Sequence, residues 1–211
     1  MEKELEALEL QTANASPGYE TQFLNRAGNL CVEAGQAPRA LGYYGRAIDA
    51  YLESGRFSAA EVLCRKVLQI APRAVRARCT LAWLALGKGF KDATRAEIEH
   101  YVQAAERAGQ QRFAAKQLLM MAEAAVNVDL RREIADHLLR LEAAPEADHV
   151  YGLVFQEDNG VRPAVVDEGK LWGKLLRAAL MGPKELQQAR GESEEDQDAL
   201  PSLLRDDQRD A

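Results

Sequence analysis

Few side chains in this sequence have the types and spacing that catalysis requires. The three histidines, His100, His137 and His149, are isolated from one another, and the acids near them, such as Glu97 and Glu99 near His100 and Asp136 beside His137, are close neighbours in sequence. Such neighbours are ordinary on a solvated helix face, whereas an active site needs polar groups that converge on one point. We therefore interpret the histidines as surface residues. An enzyme would require a polar cluster assembled from distant helices.

Metal and cofactor patterns are also missing from the sequence. Cys31, Cys64 and Cys79 are odd in number, widely spaced and without a CxxC pair, which favours core cysteines in a reducing compartment. The neighbours Glu157 and Asp158 lack the spaced oxygen ligands of a calcium loop. No glycine-rich phosphate loop, GxSxG or HExxH occurs. The sequence thus predicts a protein that is not an enzyme and that holds no metal or cofactor.

Charge is distributed unevenly along the chain. Nine acids and four bases lie between Lys184 and Ala211, so this tail carries −5 of the formal net charge of −6. The rest of the chain is close to neutral and builds no basic field for nucleic acid. The first residues lack the apolar core of a signal peptide, and no run approaches the roughly 18 apolar residues of a membrane span. We expect a cytoplasmic protein that binds no nucleic acid, and membrane binding is not favoured.

Helical periodicity runs from about residue 21 to residue 143. Ala, Leu, Glu, Arg and Gln dominate this stretch, and all of them are strong helix formers. Glycines follow the amphipathic segments, where the left-handed conformation at a helix C-terminus favours them. A weaker helix is indicated from Glu2 to Thr12. The predicted main helices span about 20–34, 38–54, 56–71, 74–87, 91–108, 110–126 and 128–142.

Internal repetition is clearest in a 34-residue unit from Leu41 to Ala74. Ala60 is a small residue at the predicted helix crossing, where it allows two backbones to approach closely. One hairpin leaves its apolar face exposed, so neighbouring units must stack. The other positions that carry the pattern are Tyr44, Ala47, Ile48 and Tyr51 on the first helix, then Gly55, Cys64, Val67 and Pro72.

This pattern resembles the tetratricopeptide repeat over about residues 21–143. Cys64 departs from it by replacing an aromatic residue, and Val67 by replacing alanine. A second register that starts at Thr21 also matches, at Gly28, Gly35, Ala40, Tyr44 and Ala47. The long helix pairs are similar to the helical arrays of vesicle-fusion attachment proteins. The resemblance implies an all-α fold, namely an antiparallel helix-hairpin repeat array wound into a right-handed solenoid with a C-terminal extension.

In the tetratricopeptide family, the first helix of each pair lines a concave groove that binds peptides or helices. In the register from Leu41, this implies that Asp49, Glu53, Arg76 and Trp83 bind a partner. Trp83 would be an aromatic anchor in the groove. The alternative interpretation is that Trp83 is an ordinary core residue. A carboxylate clamp is not expected, because Asp49 stands where the family has asparagine. The second register leaves open which helix of each pair faces the groove.

Composition changes after Pro145. We predict an N-terminal helix or tail over 1–20, a repeat domain over 21–145, a linker or β-hairpin over 146–168, an amphipathic helix over 169–183 and an acidic disordered tail over 184–211. The apolar stripe of that helix includes Leu171, Trp172 and Leu175. It would cap the array, bind in the groove or recruit a partner helix, or lie on a membrane surface.

The sequence therefore predicts an interaction scaffold or adaptor that binds another protein or peptide. A dedicated chaperone for an exported or aggregation-prone client is the alternative, because small acidic tetratricopeptide proteins also fill that role. The predicted contact residues are Asp49, Glu53, Arg76, Trp83, Leu171, Trp172 and Leu175. The identity of the partner and the oligomeric state are left open by the sequence.

Overall fold

The computed structural model describes residues 2–16 and 19–159. The predicted amphipathic helix with Leu171, Trp172 and Leu175 lies outside these residues, as do the acidic tail and residues 160–168 of the predicted linker. The described part divides into two compact units, with the boundary between Ala77 and Arg78.

All secondary structure in the described ranges is helical, with nine helices and no strand. This confirms the all-α prediction, and the seven main helices agree closely with their predicted spans. The weaker N-terminal candidate is also a helix, and it buries Leu5 and Leu8. The helices are α1 (Glu2–Asn14), α2 (Glu20–Glu33), α3 (Ala37–Glu53), α4 (Phe57–Ile70), α5 (Val75–Lys88), α6 (Lys91–Arg107), α7 (Gln111–Ala124), α8 (Val128–Arg140) and α9 (Ala144–Asp158).

Tight turns with a left-handed residue end several of these helices. After α3, Gly55 has a φ of 69°, and the next amide, on Arg56, donates to the Tyr51 carbonyl at 2.8 Å. Glycine adopts this conformation without a Cβ clash. The turn between α8 and α9 has the same form but places Glu142 there, with a φ of 61°. Gly35, Gly89 and Gly109 are the other glycines at such turns, with φ of 71°, 72° and 69°.

Consecutive helices pack against each other within each unit. In the first unit α1 contacts α2, α2 contacts α3 and α3 contacts α4; in the second, α6 contacts α7, α7 contacts α8 and α8 contacts α9. Short turns between such pairs give helical hairpins. This arrangement is consistent with the predicted helical repeat array.

Polar side chains also join alternate helices at a separation near one repeat length. In the first unit Lys66 on α4 donates to Asn29 on α2, 37 residues earlier. In the second unit Trp83 on α5 donates to Gln117 on α7, 34 residues later. Both spacings are close to the 34-residue unit of the sequence, which is consistent with a helical repeat array.

The predicted linker or hairpin after residue 145 is wrong over its first part, because α9 occupies Ala144–Asp158. Ala147, Val150 and Val154 are buried along this helix, with a spacing of three and four residues. That spacing is helical, and tertiary burial overrides the strand preference of the two valines. The repeat-like packing therefore continues beyond the predicted boundary at 145.

Candidate functional site

Three of the predicted contact residues lie together in the first unit. Asp49 and Glu53 are four residues apart on α3, so both project from the same side of that helix. Arg76, near the start of α5, donates through a terminal nitrogen to Asp49 Oδ1. The Arg76 and Asp49 side chains keep 21% and 30% of their surface exposed. The pair is thus accessible from solvent, while helices on both sides hold its geometry.

The Asp49 carboxyl is unusually easy to protonate. Burial raises its pKa to about 6, the Arg76 charge lowers it, and the charge of Glu53 raises it again. Burial dominates because an ionised carboxylate loses water contacts that one guanidinium restores only in part. Near neutral pH this surface therefore carries a carboxylate whose charge responds to its surroundings.

We expect Asp49→Asn to remove a pH dependence of stability. The folded pKa is raised from 3.8 to about 6, so the folded chain binds this proton more tightly than the unfolded chain. The contribution to stability is complete below about pH 4 and is lost as the pH rises through 6. Relative to the variant, the wild type should lose on the order of 2 kcal/mol between pH 4 and pH 7.

The measurement is urea unfolding of both proteins across this pH range. Asp92→Asn is the control, because the Asp92 side chain is 99% exposed and its neutralisation should leave the wild-type pH profile unchanged. A wild-type advantage over Asp49→Asn that grows with pH would contradict the expectation. It would mean that the Arg76 charge outweighs burial.

Trp83 is placed differently from the other predicted contact residues. Only 1% of it is exposed, and its indole N–H donates to Gln117 Oε1 at 3.0 Å within the second unit. Cys79 and Tyr101 are buried in the same unit, with the Cys79 thiol donating to the same oxygen at 3.9 Å. Trp83 therefore matches its alternative interpretation as a core residue and presents no exposed aromatic surface.

A polar cluster that the sequence did not single out lies in the first unit. Asn29 Oδ1 accepts hydrogen bonds from the Tyr44 hydroxyl, at 2.8 Å, and from the Lys66 ammonium. The ammonium also lies 4.8 Å from the centroid of the Tyr44 ring, within the range of a cation–π interaction. The sequence signal that could have indicated this cluster was the 37-residue spacing of Asn29 and Lys66, which is close to the length of one repeat.

Known proteins give no family for this chain. No family model matches it, and neither a curated protein nor a solved structure does. The tetratricopeptide resemblance remains a prediction from the sequence.

The residues with catalytic or ligand chemistry are dispersed over the described helices. Cys31, Cys64 and Cys79 are buried and form no disulfide. His137 approaches Glu99 at 3.7 Å, and burial is the main cause of its lowered pKa. In the described ranges, no three His, Cys, Asp or Glu side chains come together as metal ligands. No helix there is long and apolar enough to cross a membrane.

Proposed function

We propose that this protein is an interaction scaffold or adaptor that binds an extended peptide or a helix of another protein. The binding groove would belong to a tetratricopeptide-like right-handed solenoid. The observation that carries the proposal is the shared, partly exposed surface of Asp49, Glu53 and Arg76. These residues come from alternate helices, α3 and α5, as the residues of such a groove would.

The electrostatics of this surface favour some partners over others. Arg76 is already oriented by Asp49, so a partner that hydrogen-bonds to it gains from a preorganised donor. Asp49 and Glu53 repel a free carboxylate at the same place. We therefore propose a partner segment that offers backbone carbonyls, neutral polar groups or a basic side chain.

Site-specific photocrosslinking tests this proposal. The variant Glu53→benzoylphenylalanine, in the otherwise unchanged full chain, is irradiated in lysate from the source cells and its adducts are separated by mass. The expected result is one dominant protein adduct that an excess of unlabelled wild-type chain suppresses. Addition of the Arg76→Glu chain in place of wild type should compete at least about tenfold less well.

The control is Val126→benzoylphenylalanine, because Val126 is 71% exposed and belongs to the second unit. The same dominant adduct at both positions would count against a specific site at Glu53. Equal competition by wild-type and Arg76→Glu chains would show that Arg76 is not part of the contact.

A further inference from the structure

Charge in the first unit is split between two parts of the sequence. Residues 2–53 contain eight acids and four bases, whereas residues 54–77 contain five bases and one acid. The second stretch comprises the turn before α4, α4 itself, the turn that follows it and the first residues of α5. The positive charge of this unit is therefore concentrated on α4 and on the residues that directly flank it.

The outward side of α4 combines this charge with an exposed apolar side chain. Val62, Arg65 and Gln69 are three and four residues apart, so they share one face of the helix, and Arg73 is exposed in the next turn. Val62 is 69% exposed, and the Arg65 side chain is 56% exposed. These four residues are called the α4 basic face below.

The basic residues of this stretch differ in the side-chain contacts that they make within the unit. Lys66 and Arg76 are directed to Asn29 and Asp49 inside the unit. Arg65 pairs with Glu61 at 3.1 Å on the helix surface. A surface pair with this spacing contributes little to the stability of a helix, so Glu61 holds Arg65 only weakly.

We propose that the acidic segment 191–198 of this same chain docks on the α4 basic face. This segment contains five acids and no base, which complements Arg65 and Arg73. Three leucines follow it and offer apolar side chains to Val62; they are Leu200, Leu203 and Leu204.

Chain length permits this contact from the end of α9. Residues 160–190 provide 31 residues between the last described helix turn and the acidic segment. Fully extended, they span about 100 Å, which exceeds the summed diameters of two units of this size, about 30 Å each. A tethered segment also has an effective concentration on the order of millimolar. A weak intrinsic affinity is therefore sufficient for the tail to occupy the face.

The contact would compete with acidic ligands for the α4 basic face. Any acidic segment of another protein must displace residues 191–198 before it reaches Arg65 and Arg73. This inference does not depend on the groove of Asp49, Glu53 and Arg76. It describes a contact within one chain, which can be tested without any other protein.

Photocrosslinking within the purified full chain tests the contact. Val62→benzoylphenylalanine is irradiated at low micromolar concentration, and the crosslinked peptides are identified by mass spectrometry. The expected result is an adduct of monomer mass to residues 184–204. It should fall at least about fivefold in 0.5 M salt, because exposed charges are screened over a few ångströms there.

Two variants establish the specificity of the adduct. Conversion of the five acids of segment 191–198 to Gln or Asn in the full chain should cause a similar loss, since the attraction is removed. Arg65→Glu with Arg73→Glu should do the same. The control is Val32→benzoylphenylalanine, because Val32 is 40% exposed on α2 of the same unit, and it should give no tail adduct.

Three outcomes would overturn the proposal. They are no tail adduct at position 62, an equal tail adduct at position 32, and a tail adduct of dimer mass that grows with concentration. The last would assign the occupant to a second copy of the chain. Because no other protein is present, none of them bears on the adduct at Glu53, which tests the proposed function separately.

Discussion

Replacing Gly28 with alanine is expected to destabilise the protein by about 3 kcal/mol, through overpacking of the contact between α2 and α3. A Cβ atom at Gly28 would lie 2.4 Å from Cε1 of the Tyr44 ring. Tyr44 is fully buried, with its hydroxyl bonded to Asn29 and its ring next to the Lys66 ammonium. The ring has little freedom to move away, because interiors are close-packed.

Gly45→Ala is the matched control for this prediction. Gly45 is in the interior of α3 beside Tyr44, and a Cβ there meets nothing within 4 Å. Alanine should therefore stabilise the helix by up to about 1 kcal/mol, since it has the higher helix propensity. Urea unfolding of both variants should give shifts of opposite sign. A similar small stabilisation by Gly28→Ala would show that α2 and α3 do not approach each other this closely.

The roles of these residues were only partly predictable from the sequence. The second tetratricopeptide-like register included both Gly28 and Tyr44, so their spacing indicated helix contacts. The Tyr44 ring occupies the space beside Gly28, and this contact depends on how α2 is rotated against α3. Periodicity predicts which face of a helix is buried, and it leaves open which side chains meet across the interface.

The predicted contact residues show both what helical periodicity determines and what it leaves open. The four-residue spacing of Asp49 and Glu53 placed both on one side of α3 from the sequence alone. Trp83 lies in a continuous apolar run, Leu81–Leu86, in which every direction around the helix is apolar. A pattern without a polar face gives no orientation, so the choice between a groove anchor and a core residue required the structure.

The error after residue 145 has a local cause. Glycine predicted the turns after α2, α3, α5 and α6, but the turn after α8 has Glu142 in the left-handed conformation. Non-glycine residues adopt it rarely, so the predicted helix end at 142 was not recognised as a tight turn into a further helix. The valines of α9 then indicated strand, although their spacing was helical.

The packing of α9 leads to the second large expected effect. Glu157→Ala should destabilise the protein by about 3 kcal/mol, because it leaves a buried charge without its partner. Arg131 on α8 is 3% exposed; its Nε donates to the Ala122 carbonyl at 3.1 Å, and its terminal nitrogen donates to Glu157. The Glu157 side chain is 19% exposed, so water compensates little for its loss.

Asp158→Ala, one residue later, is the control. Asp158 pairs with Arg132, and their side chains are 49% and 44% exposed, so its removal should cost less than about 1 kcal/mol. Adding Arg131→Met to Glu157→Ala should recover much of the loss, since the buried charge is then removed with its partner. Equal losses from the two single variants in urea unfolding would show that Arg131 reaches water. If Glu157→Ala causes a large loss of stability and Asp158→Ala does not, a fragment that ends at residue 145 lacks the partner of a buried arginine. Interaction studies then need α9 in the chain.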